Sequence, residues 1–223
     1  MKPFTEQHLA LFRRHMVEII DMHFDLAEDE LGKSEVEPDL RRALLDVPRH
    51  LFVPQNLIMM SYQDSPLPIG FDKTISQPFI AALMIDLLAP KPGARVLEIG
   101  TGLGYQAAVL AELGVAVFSV EVVEEFAEAA EARFAALGYD VQVRVGEGSR
   151  GWPECAPYDA ILVTAAASEP PPALVDQLAP GGRMVMPLGP AEVQQLSVIE
   201  RRGHGLAVRP VMPAKFTRLE QGG

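Results

Sequence analysis

The sequence predicts an α/β fold: a mostly parallel sheet, antiparallel strands at its C-terminal end, and a helical lead-in before it. Three observations carry this. From Arg95 onward, β-branched runs alternate with apolar-periodic helical segments, the pattern of parallel strands joined by crossover helices. Within that region Val96-Leu97-Glu98-Ile99 runs into Gly100-Thr101-Gly102-Leu103-Gly104-Tyr105, read as a strand, a glycine-rich turn and a helix start. Before Arg95 the periodicity is helical and prolines interrupt it.

Residues 5 to about 28 read as a helix, because Leu9, Phe12, Met16, Ile19, Ile20 and His23 fall on one face. Gly32 follows as a C-terminal cap. Pro38 opens a second helix to about Asp46, with Leu40, Ala43 and Leu44 apolar. The prolines of 47–54 forbid a regular helix, and 62–73 reads as loop. Pro78 suits the first turn of a helix to about Leu88, capped by Ser76 or Gln77. Strands are expected at 95–99, 116–120, 141–145, 158–164 and 182–187, and helices at 105–113, 124–137 and 171–179. Two further strands, 194–200 and 206–212, join through a hairpin turn at Arg202-Gly203-His204-Gly205. The expected organisation is one compact unit: a helical segment, 1–92, and a ligand-binding α/β region, 93–223.

The bulk numbers narrow the function. A chain of 223 residues can bury a sizeable core. Its net charge of −11 argues against a nucleic-acid partner, since phosphate binding draws on lysine and arginine. No apolar run approaches the ~20 residues of a membrane span. Residues 1–6 lack a basic-then-apolar secretory pattern, and Cys155 is the single cysteine, which fits a reducing cytoplasm. His15 and His23 form no i, i+4 ligand pair, so no metal site is expected.

Glycines at alternate positions leave the backbone bare for a ligand, although a tight turn without a ligand also explains them. The second strand adds context by ending on Glu121, close to the ~20-residue interval at which nucleotide-binding βαβ units place a ribose-binding acid. Glu121 also reads as a plain surface acid. A dinucleotide site is spaced G-x-G-x-x-G, whereas Gly100, Gly102 and Gly104 are spaced G-x-G-x-G and Tyr105 stands where the third glycine belongs. With Glu98 ahead of them, these glycines resemble the first motif of class I S-adenosylmethionine-dependent methyltransferases. That ligand carries an amino-acid tail and a sulfonium, which suit a nearby carboxylate.

Other runs narrow the resemblance. They are Val47-Pro48-Arg49-His50 with Phe52-Val53-Pro54, Tyr62-x-Asp64-x-Pro66-Leu67-Pro68-Ile69-Gly70, and Thr74-Ile75-Ser76-Gln77-Pro78. Further on come Gly104-Tyr105-Gln106, Ser119-Val120-Glu121, Gly146-Glu147-Gly148, Gly151-Trp152, the run from Tyr158 to Ala166, Gly181-Gly182 and Pro187-x-Gly189. Together they resemble protein-L-isoaspartate O-methyltransferases, and the Thr-Ile-Ser-Gln-Pro run is the most restricted piece.

The resemblance implies a Rossmann-like class I methyltransferase fold. It also implies methyl transfer from S-adenosylmethionine to the free carboxylate of L-isoaspartyl residues in damaged proteins, leaving S-adenosylhomocysteine. By the same resemblance Ser76 is catalytic, though from the local sequence it also reads as a helix cap. The implied cofactor residues are Glu98, Gly100, Thr101, Gly102, Gly104, Glu121, Glu147 and Gly148. The implied substrate residues are Ile69, Gly70, Thr74, Val163, Thr164 and Ala165. Glu147 stands where the family usually has aspartate. Asp72-Lys73 and the run from Pro210 to Lys215 depart from the family pattern near the expected peptide site. Lys73 is expected to draw acidic peptides. Monomer and homodimer are both open. So are two other functions: carboxyl methylation of a different peptide or small acid, and adenosyl-ligand binding without catalysis.

Overall fold

The computed structural model describes residues 5–203 and 205–220. The chain opens with α1 (Glu6–Leu26), a one-turn α2 (Glu28–Leu31) and α3 (Pro38–Asp46). The break at Ala27 divides the expected first helix, and Gly32 closes α2 in the left-handed conformation at φ 72°. Two short 3-10 segments, Arg49–Phe52 and Gln55–Met60, cross the proline-rich stretch. The stretch expected as loop contains a hairpin of β1 (Leu67–Gly70) and β2 (Lys73–Ile75). Its strands are too short and too proline-rich to show an alternating pattern. Phe71 and Asp72 turn it with φ of 50° and 54°.

Then come α4 (Pro78–Leu88), β3 (Arg95–Ile99), α5 (Tyr105–Glu112), β4 (Ala116–Glu121), α6 (Glu124–Leu137) and β5 (Val141–Val145). β6 (Tyr158–Val163), α7 (Pro172–Gln177), β7 (Leu178–Leu188), β8 (Gln194–Arg202) and β9 (Gly205–Ala214) complete the chain. β7 begins earlier than expected, so α7 is shorter. β8 and β9 pair Arg202 with Gly205; His204, in the expected turn, lies outside the described residues.

The seven-stranded sheet is ordered β5-β4-β3-β6-β7-β8-β9. The first five strands are parallel, and β8 and β9 are antiparallel to their predecessors, as expected. Side chains of a strand alternate between faces. Val96 therefore joins a core with Ile20, Phe24, Leu44 and Leu83 of the lead-in helices, while Leu97 and Ile99 join Phe118, Ile161 and Met184 on the other face. Lead-in and sheet thus share one apolar core. The carboxyl ends of β3, β4 and β6 converge at the sheet's middle, where open α/β sheets bind ligands.

Candidate active site

A cavity of about 640 Å³ opens at that point. One wall is the turn after β3, a second is Glu121 and Val122 at the end of β4, and a third is Thr164 and Ala165 after β6. The β1–β2 hairpin and the start of α4 form the opposite wall through Ile69, Thr74, Ile75, Ser76 and Gln77. Residues following β9 run along the mouth.

Glu121 organises the glycine turn. Its Oε2 accepts the Gly102 N–H at 2.7 Å, and its Oε1 accepts the Val122 and Val123 N–H groups at 2.9 and 3.0 Å. Behind it, Ser119 donates to Glu98 Oε2 at 2.5 Å and lies 2.6 Å from the Thr101 hydroxyl. Glu98 is fully buried, and its Oε1 has no partner among the described residues. Burial pushes the Glu98 carboxyl up to about 8; the Ser119 hydrogen bond opposes this and the Glu121 charge adds to it. Thr164 donates to the carbonyls of Ile99 and Gly100 at 2.9 and 3.0 Å, tying β6 to the turn.

Ser76 lies between β2 and α4, half-buried, with no hydrogen-bond partner for its hydroxyl among the described residues. Neither Ser76 nor Gln77 caps α4 with its side chain, which corrects that expectation. The cap comes from Asp64. Its Oδ1 accepts the Phe79 N–H at 3.0 Å, while Oδ2 accepts from Gln77 Nε2 at 2.6 Å and lies 2.9 Å from His23 Nε2.

The cavity brings together Ser76, Glu98, Gly100, Thr101, Gly102, Glu121, Gly148, Ile69, Thr74, Thr164 and Ala165. Four other expected site residues stand off its wall. Gly70 ends β1 at φ 106°, where an added Cβ would stand 3.9 Å from Phe126 Cζ. Val163 is fully buried in the core behind the sheet edge. Glu147 pairs with Arg150 at 2.8 Å and accepts a hydrogen bond from Ser149. Gly104 starts α5 at φ 97°, where an added Cβ would stand 2.6 Å from Phe134 Cζ. The bare backbone there lets α5 start close against Phe134 and Ala130 of α6. Gly104→Ala is therefore expected to cost about 2–4 kcal/mol from backbone strain plus overpacking, read as a lower denaturant midpoint at unchanged slope. An unshifted midpoint would contradict that packing.

Sequence reasoning passed over several participants. Arg49 and Asp64 stood inside quoted motifs without a role. Ser119 was visible as a lone hydroxyl inside an apolar strand. The C-terminal segment registered only as a mismatch. It is tied to the sheet: Gln194 accepts the Phe216 N–H at 2.7 Å and donates to its carbonyl at 3.1 Å, and Ala166 exchanges backbone bonds with Thr217 and Leu219, both at 2.8 Å. Glu220 forms an ion pair with Lys73, which offsets the positive charge expected to draw acidic peptides.

Sheet order, glycine turn and strand-end acid define a Rossmann-like fold of the class I methyltransferase type. Comparison with known proteins narrows the class. The family model described as Protein-L-isoaspartate(D-aspartate) O-methyltransferase (PCMT) matches residues 26–222. A protein-L-isoaspartate O-methyltransferase 1 of Polaromonas sp. (strain JS666) is 46% identical over 97% of this chain and 92% of its own length. One from Methylorubrum extorquens is 53% identical over 81% of this chain and 79% of its own. Among solved structures, a protein-L-isoaspartate O-methyltransferase superposes with a TM-score of 0.78 at 29% identity, covering 95% of this chain and 66% of that one. A Plasmodium falciparum protein described as one of these enzymes, solved with S-adenosyl-L-homocysteine, shares the fold at a TM-score of 0.78 and 22% identity, over 94% of this chain and 99% of its own. The chain belongs to the protein-L-isoaspartate O-methyltransferase family.

Proposed function

We infer that this chain transfers a methyl group from S-adenosylmethionine to the free carboxylate of L-isoaspartyl residues in damaged proteins. One observation carries the reading: the unpartnered Ser76 hydroxyl lies on the same cavity as the glycine turn, Glu98 and Glu121. Family membership supports the donor and the acceptor class. Among the described residues no helix is long and apolar enough to cross a membrane, and no group of three or more His, Cys, Asp or Glu side chains is suited to a metal.

The residues fit the donor. Glu98 holds a buried carboxyl oxygen, unpartnered among the described residues, at the cavity wall, matched to the ammonium of the amino-acid tail. Glu121 has two acceptor oxygens at the turn, suited to ribose hydroxyls. When bound, S-adenosylmethionine supplies an electrophilic methyl group. The acceptor carboxylate, with a pKa near ~4, is already an ionised nucleophile at neutral pH. No residue of the chain needs to take a proton. Ser76 donates a hydrogen bond that aims one carboxylate oxygen, and Ile69, Ile80, Leu103 and Phe126 form apolar walls that exclude water. Incubation with labelled S-adenosylmethionine and an isoaspartyl peptide should give a mass gain of one methylene that mild base removes. A base-stable gain, or none, would refute carboxyl methylation.

Glu98 links ligand binding to pH. Its folded pKa of about 8 lies above the ordinary 4.5. The stability it contributes is therefore complete below about 4.5 and is lost as pH rises through about 8. The ammonium group of the ligand's amino-acid tail, present in S-adenosylmethionine and S-adenosylhomocysteine alike, favours the ionised form, so affinity should strengthen as pH rises from about 6 to about 7.5. Calorimetry with S-adenosylhomocysteine should show this slope in the native protein and a flatter one in Glu98→Gln. Equal slopes would remove Glu98 from the ligand's surroundings.

At the mouth, Lys215 and Arg218 are exposed, line the cavity and have no ion-pair partner among the described residues. They favour acceptors with acidic neighbours. Lys215→Ala/Arg218→Ala should raise KM for an acidic isoaspartyl peptide by about threefold or more and flatten its salt dependence, with little change for a neutral peptide. Equal changes for both peptides would count against this preference.

A further inference from the structure

Arg49 is fully buried and is among the largest side chains that are. It lies in the 3-10 turn Arg49–Phe52. Its Nε donates to the Ser61 carbonyl at 2.8 Å and its Nη2 to the Ser76 carbonyl at 2.7 Å. The guanidinium carbon stands 4.8 Å from the ring centroid of Tyr105, the first residue of α5 after the glycine turn. Nη1 has no partner, and no carboxylate lies within ion-pair distance among the described residues. Burial pulls the Arg49 pKa down to about 10, against the pull of Tyr105, Asp64 and Tyr62, so the group stays charged at neutral pH.

A buried cation without a direct counter-ion lowers stability. Two carbonyls alone need only a neutral donor. What the guanidinium adds is positive charge behind the Ser76–Gln77 peptide. In a trans peptide the C=O and N–H point in opposite directions, so the Gln77 N–H is directed away from Arg49. Neither that N–H nor the Ser76 hydroxyl has a partner among the described residues, and both residues line the cavity. The Phe79 N–H at the start of α4 is already held by Asp64. A charge-assisted bond to a carbonyl polarises its peptide and strengthens the N–H as donor.

We propose that Arg49 is a positioning residue for methyl transfer, fixing and polarising the Ser76–Gln77 peptide so that the Ser76 hydroxyl and the Gln77 N–H together hold the acceptor carboxylate. This rests on the isoaspartyl methyltransferase reading. Arg49 touches neither donor nor acceptor; it acts through the segment that does.

A double-mutant cycle of Arg49→Lys and Ser76→Ala tests it. Three quantities are read: kcat and KM with an isoaspartyl peptide, affinity for S-adenosylhomocysteine, and peptide affinity of the S-adenosylhomocysteine-bound protein. Lysine keeps the charge but cannot reach both carbonyls in the fork geometry. Arg49→Lys alone should lower kcat/KM and peptide affinity by about tenfold, with S-adenosylhomocysteine affinity within about twofold. In the Ser76→Ala background the same change should cost less, about threefold, because the hydroxyl it positions is gone and only the Gln77 N–H remains for Arg49 to orient. Full activity of Arg49→Lys would overturn the proposal. So would equal factors in both backgrounds, or a parallel fall in S-adenosylhomocysteine affinity, since either marks a scaffold role. Native protein inactive on the peptide would refute the function itself; active native protein with an unaltered Arg49→Lys variant would refute this proposal alone.

Discussion

Ser76→Ala is expected to lower methyl transfer at least about tenfold while leaving S-adenosylhomocysteine affinity within about twofold. The separation follows from where the serine sits. It belongs to the segment between β2 and α4, while the expected donor-binding groups belong to the turn after β3 and the end of β4. A hydrogen bond to a charged acceptor contributes roughly 1.5–3 kcal/mol, or about 10–150-fold in rate if it is made to the reacting carboxylate. Alanine leaves the fold alone: Asp64, not Ser76, caps α4, and the Ser76 hydroxyl bonds to nothing among the described residues. The thermal midpoint should therefore hardly move. Unchanged turnover would remove Ser76 from the reaction, and a large loss of stability would return it to a structural role.

Glu121→Ala should weaken S-adenosylhomocysteine binding by about 1–3 kcal/mol, measured by calorimetry. Two effects add. The variant loses an acceptor for the ribose hydroxyls, and it frees the Gly102 N–H that Glu121 holds at 2.7 Å. Glu121→Gln should recover little. An amide has one acceptor oxygen, whereas this carboxylate receives N–H donors on both oxygens. Whichever way the amide turns, its NH2 faces a backbone N–H. Unchanged affinity in Glu121→Ala, or full recovery in Glu121→Gln, would contradict this account of the turn.

The sheet was legible because its strands carry strong signals. β3 carries Val96, Leu97 and Ile99 straight into a glycine turn, and the bounds expected for β3 and β5 match those observed. The hairpin β1–β2 was not legible, since Leu67-Pro68-Ile69-Gly70 offers four residues, one a proline, and its partner is shorter still. At the site, residues contiguous with the glycine turn came together as expected. Gly104 and Glu147 belong to the same motifs yet stand off the cavity, because motif spacing says neither that the Gly104 backbone packs against Phe134 nor that the Glu147 side chain turns to Arg150. Long-range partners were the hardest to see. Asp64 reaches Phe79 and Gln77, Arg49 reaches Ser76, and Glu220 reaches Lys73, and each pairing exists only once the chain has folded.

The proposed activity requires one cavity to join a methyl donor to an isoaspartyl carboxylate. The most direct measurement offers the protein labelled S-adenosylmethionine with an isoaspartyl peptide and, separately, with its aspartyl isomer of identical composition. Base-labile label on the isoaspartyl peptide, with little or none on the aspartyl isomer, is the predicted result. Equal labelling of both, or no label on either, would contradict it.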